Sequence, residues 1–231
     1  MPTSRVIIVL YAFAATVNVM ASGVGQSSLD WATKPLLMPL LAGVVIFAAH
    51  EAGHRPLWTL LGALGCATAG DVALMADGTL PFLLGMAAFL GCQVLLIISF
   101  VRAGARPRLA VTLLYCAGYA VAVLVLWRGL GGLALPVSLY AVALTAMAVL
   151  ATGQGWRIGL GGLLFFASDL LLAVDLADVV PVSGLWVMLT YVVGLALIVT
   201  GWVTRPAPPP IPHPRPALDA APASSTSHPK Y

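Results

Sequence analysis

Long apolar runs dominate this chain, with neither the alternation of half-buried strands nor the single apolar stripe of a soluble amphipathic helix. Cutting the runs at Pro, Gly and charged residues gives eight candidate helices: Arg5–Ser22, Pro35–His50, Pro56–Met75, Leu80–Val101, Leu109–Trp127, Leu130–Thr152, Trp156–Val174 and Ser183–Val203. Most have the length that crosses a hydrocarbon core, roughly 17–25 residues. The second is short, and Leu130–Thr152 contains Pro136, where a kink is expected. The first has the outline of a signal peptide, with Arg5 ahead of the apolar core and small residues at Ala21–Gly23. Its length and the missing A-x-A site favour a span.

Composition supports the pattern. Of 231 residues, 61% are hydrophobic and only 8% are charged, against roughly 25% charge in a soluble domain. The fold class is therefore all-α, a polytopic membrane bundle of about eight transmembrane helices. The short alternating stretches of a β-barrel are absent. A net charge of +3 is too small and scattered for a nucleic-acid partner. Cys66, Cys92 and Cys116 lie far apart in apolar segments and read as packing residues.

Lys and Arg set the threading. Arg5, Arg55, Arg102, Arg106, Arg108, Arg157, Arg205, Arg215 and Lys230 fall on one side of an eight-span arrangement, and only Lys34 and Arg128 on the other. The positive-inside rule then puts both termini in the cytoplasm. Asp30, Asp77, Asp175 and Asp178 fall on the outer side. Residues 1–204 form the membrane domain. Residues 205–231, dense in proline, read as a disordered, partly polyproline-II cytoplasmic tail.

Against this background two carboxylates stand out. "ATAGDVALMAD" places Asp71 late in the third span, and "FFASDLLLAVD" places Asp169 late in the seventh. Both have a small residue before the Asp and a second Asp six positions on, which suggests a parallel 4+4 pseudo-repeat. Lys34 stands at the outer mouth of the second span, so three charges from distant parts of the chain are expected at similar depth. Asn18, Gln93, Ser168 and Tyr191 are smaller polar groups expected to join them as substrate-binding residues.

A buried Asp costs several kcal/mol unless it is paired or protonated. The plain reading is a structural Lys34–Asp bridge. The functional reading is an acid–base pair: two neighbouring carboxyls in low dielectric do not readily both ionise, so one donates a proton while the other accepts. Which one is the acid stays open, with the apolar flanks of Asp71 tilting towards it and Ser168 placed to hydrogen-bond Asp169.

"HEAGH", His50 to His54, matches the zinc motif H-E-x-x-H. Gly53 and Pro56 end the helix there, and the membrane aspartates lie towards the far leaflet, so a polar turn is expected and no metal site.

The segments "KPLLMPLLAG", "LGALGCATAGDVALM", "FLLGMAAFLGCQ" and "GGLLFFASDLLLAV" occur in an order and spacing that resemble the lysoplasmalogenase (YhhN-like) membrane family. The resemblance extends to about Val203. It implies hydrolysis of the vinyl ether bond of a lysoplasmalogen to a fatty aldehyde and glycerophospho-ethanolamine or -choline. Carried over by motif, Asp71 and Asp169 are catalytic and Lys34 binds substrate. This chain departs from many relatives at Gln93 (His), Leu96 (Tyr) and Leu195 (Gln in a Tyr-rich stretch). The chemistry implied is protonation of the vinyl ether carbon followed by water addition, with no cofactor. The implied partners are a lysophospholipid and membrane lipids, in a multi-pass protein of a bacterial-type cell membrane. A homo-oligomer is left open. A small proton-coupled carrier, or a lipid-binding protein without catalysis, are the alternatives.

Overall fold

The computed structural model describes residues 2–25, 27–55 and 57–205. The tail expected over 205–231 lies, from residue 206 onward, outside them. Among the described residues the α-helices are, in order, α1 (Thr3–Val24), α2 (Ser27–Glu51), α3 (Trp58–Ala73), α4 (Thr79–Arg102), α5 (Leu109–Leu130), α6 (Ala134–Thr152), α7 (Trp156–Leu176) and α8 (Gly184–Val203), with a 3-10 turn, Gly131–Leu133, before α6. No strand occurs among the described residues. Six stretches are long and apolar enough to cross a membrane, one of them the 44-residue Leu109–Thr152 that contains both α5 and α6. The third helix, at 16 residues, is shorter. The protein is a multi-pass helical membrane protein.

Two local expectations change. The second helix starts at Ser27 rather than Pro35, and carries Pro35 and Pro39 inside it. Each proline lacks an N–H, so the carbonyls of Trp31 and Pro35 lose their usual partners four residues on. A membrane helix packed in a bundle tolerates such losses. Lys34 is thus a helical residue two turns in, not a residue at the helix mouth. Pro136 falls in the first turn of α6, where its missing N–H would have no partner in the helix. It stands at the start of the helix rather than in the middle of a longer one.

Neighbouring helices close a ring: α1 packs on α2, α2 on α3, α3 on α4, α4 on α6, α6 on α7, α7 on α8, and α8 back on α1. The fifth helix stands outside it against α6 and α7, and only its Leu126 and Leu130 are buried. Leu113, Leu114, Val121 and Leu124 face outwards, as suits side chains whose solvent is lipid. The ring interior is apolar, with Leu41, Leu64, Leu96, Phe100, Met147, Phe165 and Ile198 all but inaccessible.

Polar contacts identify the two ends. At one, Ser4 meets Glu51, while Arg205 donates to the Gln154 carbonyl (2.8 Å) and Gln154 donates to the Phe100 carbonyl (2.9 Å). Arg205 also stacks on Trp202, 4.2 Å from the ring centroid. This end gathers Arg102, Arg106, Arg108 and Arg157. At the other, Gly184 lies against Ser22 and Gly129 against Ala177. Both aspartates of interest belong to this second end.

Candidate active site

Asp71 is the third-last residue of α3 and 2% exposed. Lys34 of α2 approaches it at 4.0 Å, Nζ to Oδ1. Tyr191 of α8 donates its hydroxyl to Asp71 Oδ2 at 2.8 Å. That distance is a hydrogen bond and the lysine contact is not; it is an ion pair, and the ammonium makes no hydrogen bond among the described residues. Asp169 of α7 is partly exposed and accepts a short hydrogen bond from the Tyr140 hydroxyl of α6. The Tyr140 oxygen accepts in turn from Gln93 Nε2 at 3.4 Å, a long contact. Gln93 is fully buried, and its Oε1 has no partner among the described residues.

The two carboxylates line one cavity of about 330 Å3, together with Lys34, Tyr140, Ser168 and Tyr191. That volume lies at the low end of small-molecule sites. Most of the remaining wall is apolar, including Phe82, Met86, Leu172 and Met188. Phe89, Phe165 and Tyr191 meet edge to face, with centroids 5.6–6.4 Å apart. Phe89 and Tyr191 line the cavity, and the buried Phe165 packs against both. A smaller apolar recess of about 60 Å3 adjoins Tyr140 and Asp169 from the side of α5, lined by Tyr119, Leu126, Leu144 and Phe166 among others.

The structure brings Lys34, Asp71, Ser168, Asp169 and Tyr191 to this cavity and leaves two expected residues out of its wall. Asn18 belongs to a separate cluster, donating to Asp30 (3.0 Å) and Thr33 (2.9 Å), with Ser22 also donating to Asp30 (2.8 Å). It ties α1 to α2. Gln93 reaches the site only through Tyr140. Ser168 lines the cavity, but its hydroxyl donates to the Val187 carbonyl (2.9 Å) of α8 and not to Asp169. Two residues escaped the sequence reading. Tyr140 gave no signal beyond being a hydroxyl in an apolar run. Asp175, which also lines the cavity, was visible as the second Asp of the repeated pattern and was read only as an outer-face charge.

The H-E-x-x-H segment runs off the end of α2. Glu51 is the last helical residue, and it accepts from the Ser4 backbone N–H at 2.9 Å and the Ser4 hydroxyl at 2.5 Å. His54 lies beyond, in the turn. Among the described residues no three His, Cys, Asp or Glu side chains are grouped to hold a metal.

A ring of membrane helices with a cavity near one end, mostly apolar and lined by two carboxylates, defines a multi-pass membrane protein with a candidate small-molecule site. Residues 29–202 match the YhhN family, and the chain belongs to that family. It is 32% identical over 187 residues to Lysoplasmalogenase TMEM86B of Homo sapiens, covering 79% of this chain and 80% of that protein. It is 34% identical over 162 residues to Lysoplasmalogenase TMEM86B of Sus scrofa, covering 70% of each. No solved structure matches the chain.

Proposed function

We propose that the protein is a membrane-embedded lysoplasmalogenase, a hydrolase that cleaves the vinyl ether bond of a lysophospholipid by acid–base catalysis between Asp71 and Asp169. The observation that carries this reading is that both carboxylates line one cavity with different partners: a lysine and a tyrosine at Asp71, a tyrosine at Asp169. The names of the human and pig relatives supply the substrate class.

The reaction begins with transfer of a proton to the vinyl carbon that does not bear oxygen. This leaves an oxocarbenium ion, which water attacks to give a hemiacetal. The hemiacetal then collapses to a fatty aldehyde and a glycerophospho-alcohol. We assign Asp169 as the acid and Asp71 as the base, the reverse of what the apolar flanks of Asp71 suggest. Lys34 beside Asp71 balances a carboxylate charge, and no Lys or Arg pairs with Asp169 among the described residues. A charged Asp71 then faces the cation as it develops and takes a proton from the attacking water. Tyr191 and Tyr140 hold the two carboxyls in place. Lys34 meets the phosphate as a point charge. The apolar recess behind Tyr140 and Asp169 receives the first carbons of the chain, with the rest lying along α5 and the lipid.

In this reading all eight helices cross the membrane, the arginine-rich end lies in the cytoplasm, and the cavity opens towards the outer side of a bacterial-type cell membrane. A parallel 4+4 repeat is supported by the place of Lys34 as the eighth residue of α2 and Tyr140 as the seventh of α6, each facing the aspartate of the following helix. A carrier is disfavoured, because a closely packed, mostly apolar core lies between the cavity and the other end among the described residues.

The test is aldehyde release from a lysoplasmalogen by detergent-purified protein. Asp71→Asn and Asp169→Asn are each expected to lower the rate by roughly 100- to 10,000-fold, the usual contribution of a proton-transferring group. Unchanged turnover in either variant removes that carboxyl from the chemistry.

A further inference from the structure

We propose that Asp175 reads the headgroup: its carboxylate receives the ammonium of a zwitterionic lysophospholipid while Lys34 holds the phosphate. The inference rests on the lysophospholipid reading above and adds to it the residue that reads the headgroup. Asp175 lies in the last turn of α7, six residues past Asp169, and so about 9 Å further along the helix axis. That is comparable to the extended reach from the ether oxygen of a glycerophospholipid, across its phosphodiester, to the amine. The residue lines the same cavity as Lys34, Asp71 and Asp169.

Asp175 is exposed, and one hydrogen bond within the chain orients it. Asp175 Oδ1 accepts from the Val182 backbone N–H at 2.9 Å, across the loop that joins α7 to α8. The bond uses one oxygen and leaves the other unused. No Lys or Arg pairs with Asp175 among the described residues, where the one ion pair is Lys34–Asp71. The cavity thus holds one cation with protons to donate and, towards its loop end, an anion without a counter-charge. A phosphate followed by an amine matches both. A phosphate monoester brings more negative charge and nothing for Asp175 to bind, so the same carboxylate selects against it.

The test compares an alkenyl glycerophosphoethanolamine with the alkenyl glycerophosphate of the same chain, on the full protein in detergent. Asp175→Asn keeps the oxygen that accepts from Val182 and removes only the charge, and its thermal midpoint checks the fold. The wild type should favour the ethanolamine lipid in kcat/KM by roughly tenfold or more, the usual worth of a charged hydrogen bond. The variant should lose that preference through KM, with kcat nearly unchanged. Calorimetric binding of two uncleavable 1-O-alkyl lipids with the same headgroups reads selectivity without turnover. Asp175-dependent preference in binding, with no cleavage of either vinyl ether lipid, upholds the headgroup assignment and overturns the hydrolase reading. Equal binding of both headgroups, an unchanged preference in Asp175→Asn, or no binding of either lipid overturns the assignment.

Discussion

At the scale of single residues, the site consists of two carboxylates, each held by a tyrosine from a different helix. The aspartates and Lys34 were legible in the sequence because a charge within an apolar run is expensive and has to be answered by a partner. Their partners were less legible. Tyrosine is ordinary in membrane helices, where it often marks the headgroup level, and only the packing of α6 on α7 aims the Tyr140 hydroxyl at Asp169. Asn18 shows the converse: it lies near the right depth, yet its amide is used up on Asp30 and Thr33. Depth along a helix follows from counting residues; the face a side chain presents depends on neighbours. Tyr140→Phe removes the donor and keeps the ring. Loss of a hydrogen bond to a charged or reacting carboxyl costs about 1.5–3 kcal/mol, so kcat should fall roughly 10- to 100-fold with the thermal midpoint little changed. Gln93→Leu should produce a smaller fall in the same direction, because it removes only the long contact to the Tyr140 oxygen. Stopped-flow or coupled aldehyde assays on both variants check the order.

The helices that carry the aspartates meet their successors through glycine. A Cβ placed on Gly70 would come within 2.6 Å of the Phe89 ring, and one on Gly85 within 2.7 Å of Leu74. On the other side, a Cβ on Gly161 would lie 2.6 Å from the Gly194 carbonyl oxygen, and one on Gly194 would lie 2.9 Å from that of Gly161. In lipid, where apolar burial does not drive helices together, small residues permit the close backbone approach that does. The Gly70–Asp71 pair is therefore two jobs side by side: a packing residue, then a carboxylate delivered to the cavity. The contact at Gly161 is to backbone and cannot be relieved by a rotamer change. Overpacking of this kind costs about 1–3 kcal/mol, and Gly161→Ala should lower the thermal midpoint in detergent by roughly 2–12 °C. Gly65→Ala, in open space on α3, should leave it nearly unchanged. The all-helical class and most helix bounds followed from the hydropathy pattern. The start of α2 did not, because Pro35, directly after the charged Lys34, reads as a boundary. Tertiary packing carries the helix through them.

At the scale of the whole molecule, the two ends differ in charge and in structure. One gathers Arg102, Arg106, Arg108, Arg157 and Arg205 around helix ends tied by Gln154 and Ser4. The other carries the acids Asp77, Asp175 and Asp178 and the mouth of the cavity. Insertion machinery and the anionic inner leaflet hold basic loops in the cytoplasm, so the lipid should reach Lys34 and Asp175 from the outer leaflet. A single cysteine reports the side. With Cys116, exposed on α5, replaced by serine, Asp77→Cys and Asp178→Cys should react with a membrane-impermeant maleimide in intact bacterial cells. Ala103→Cys, beyond the end of α4, should react only after permeabilisation. The reverse pattern would turn the cavity towards the cytoplasm and leave the chemistry of the site untouched. Labelling of all three in intact cells would mean that the α3–α4 and α4–α5 loops share one side. That arrangement cannot coexist with a fourth helix that spans.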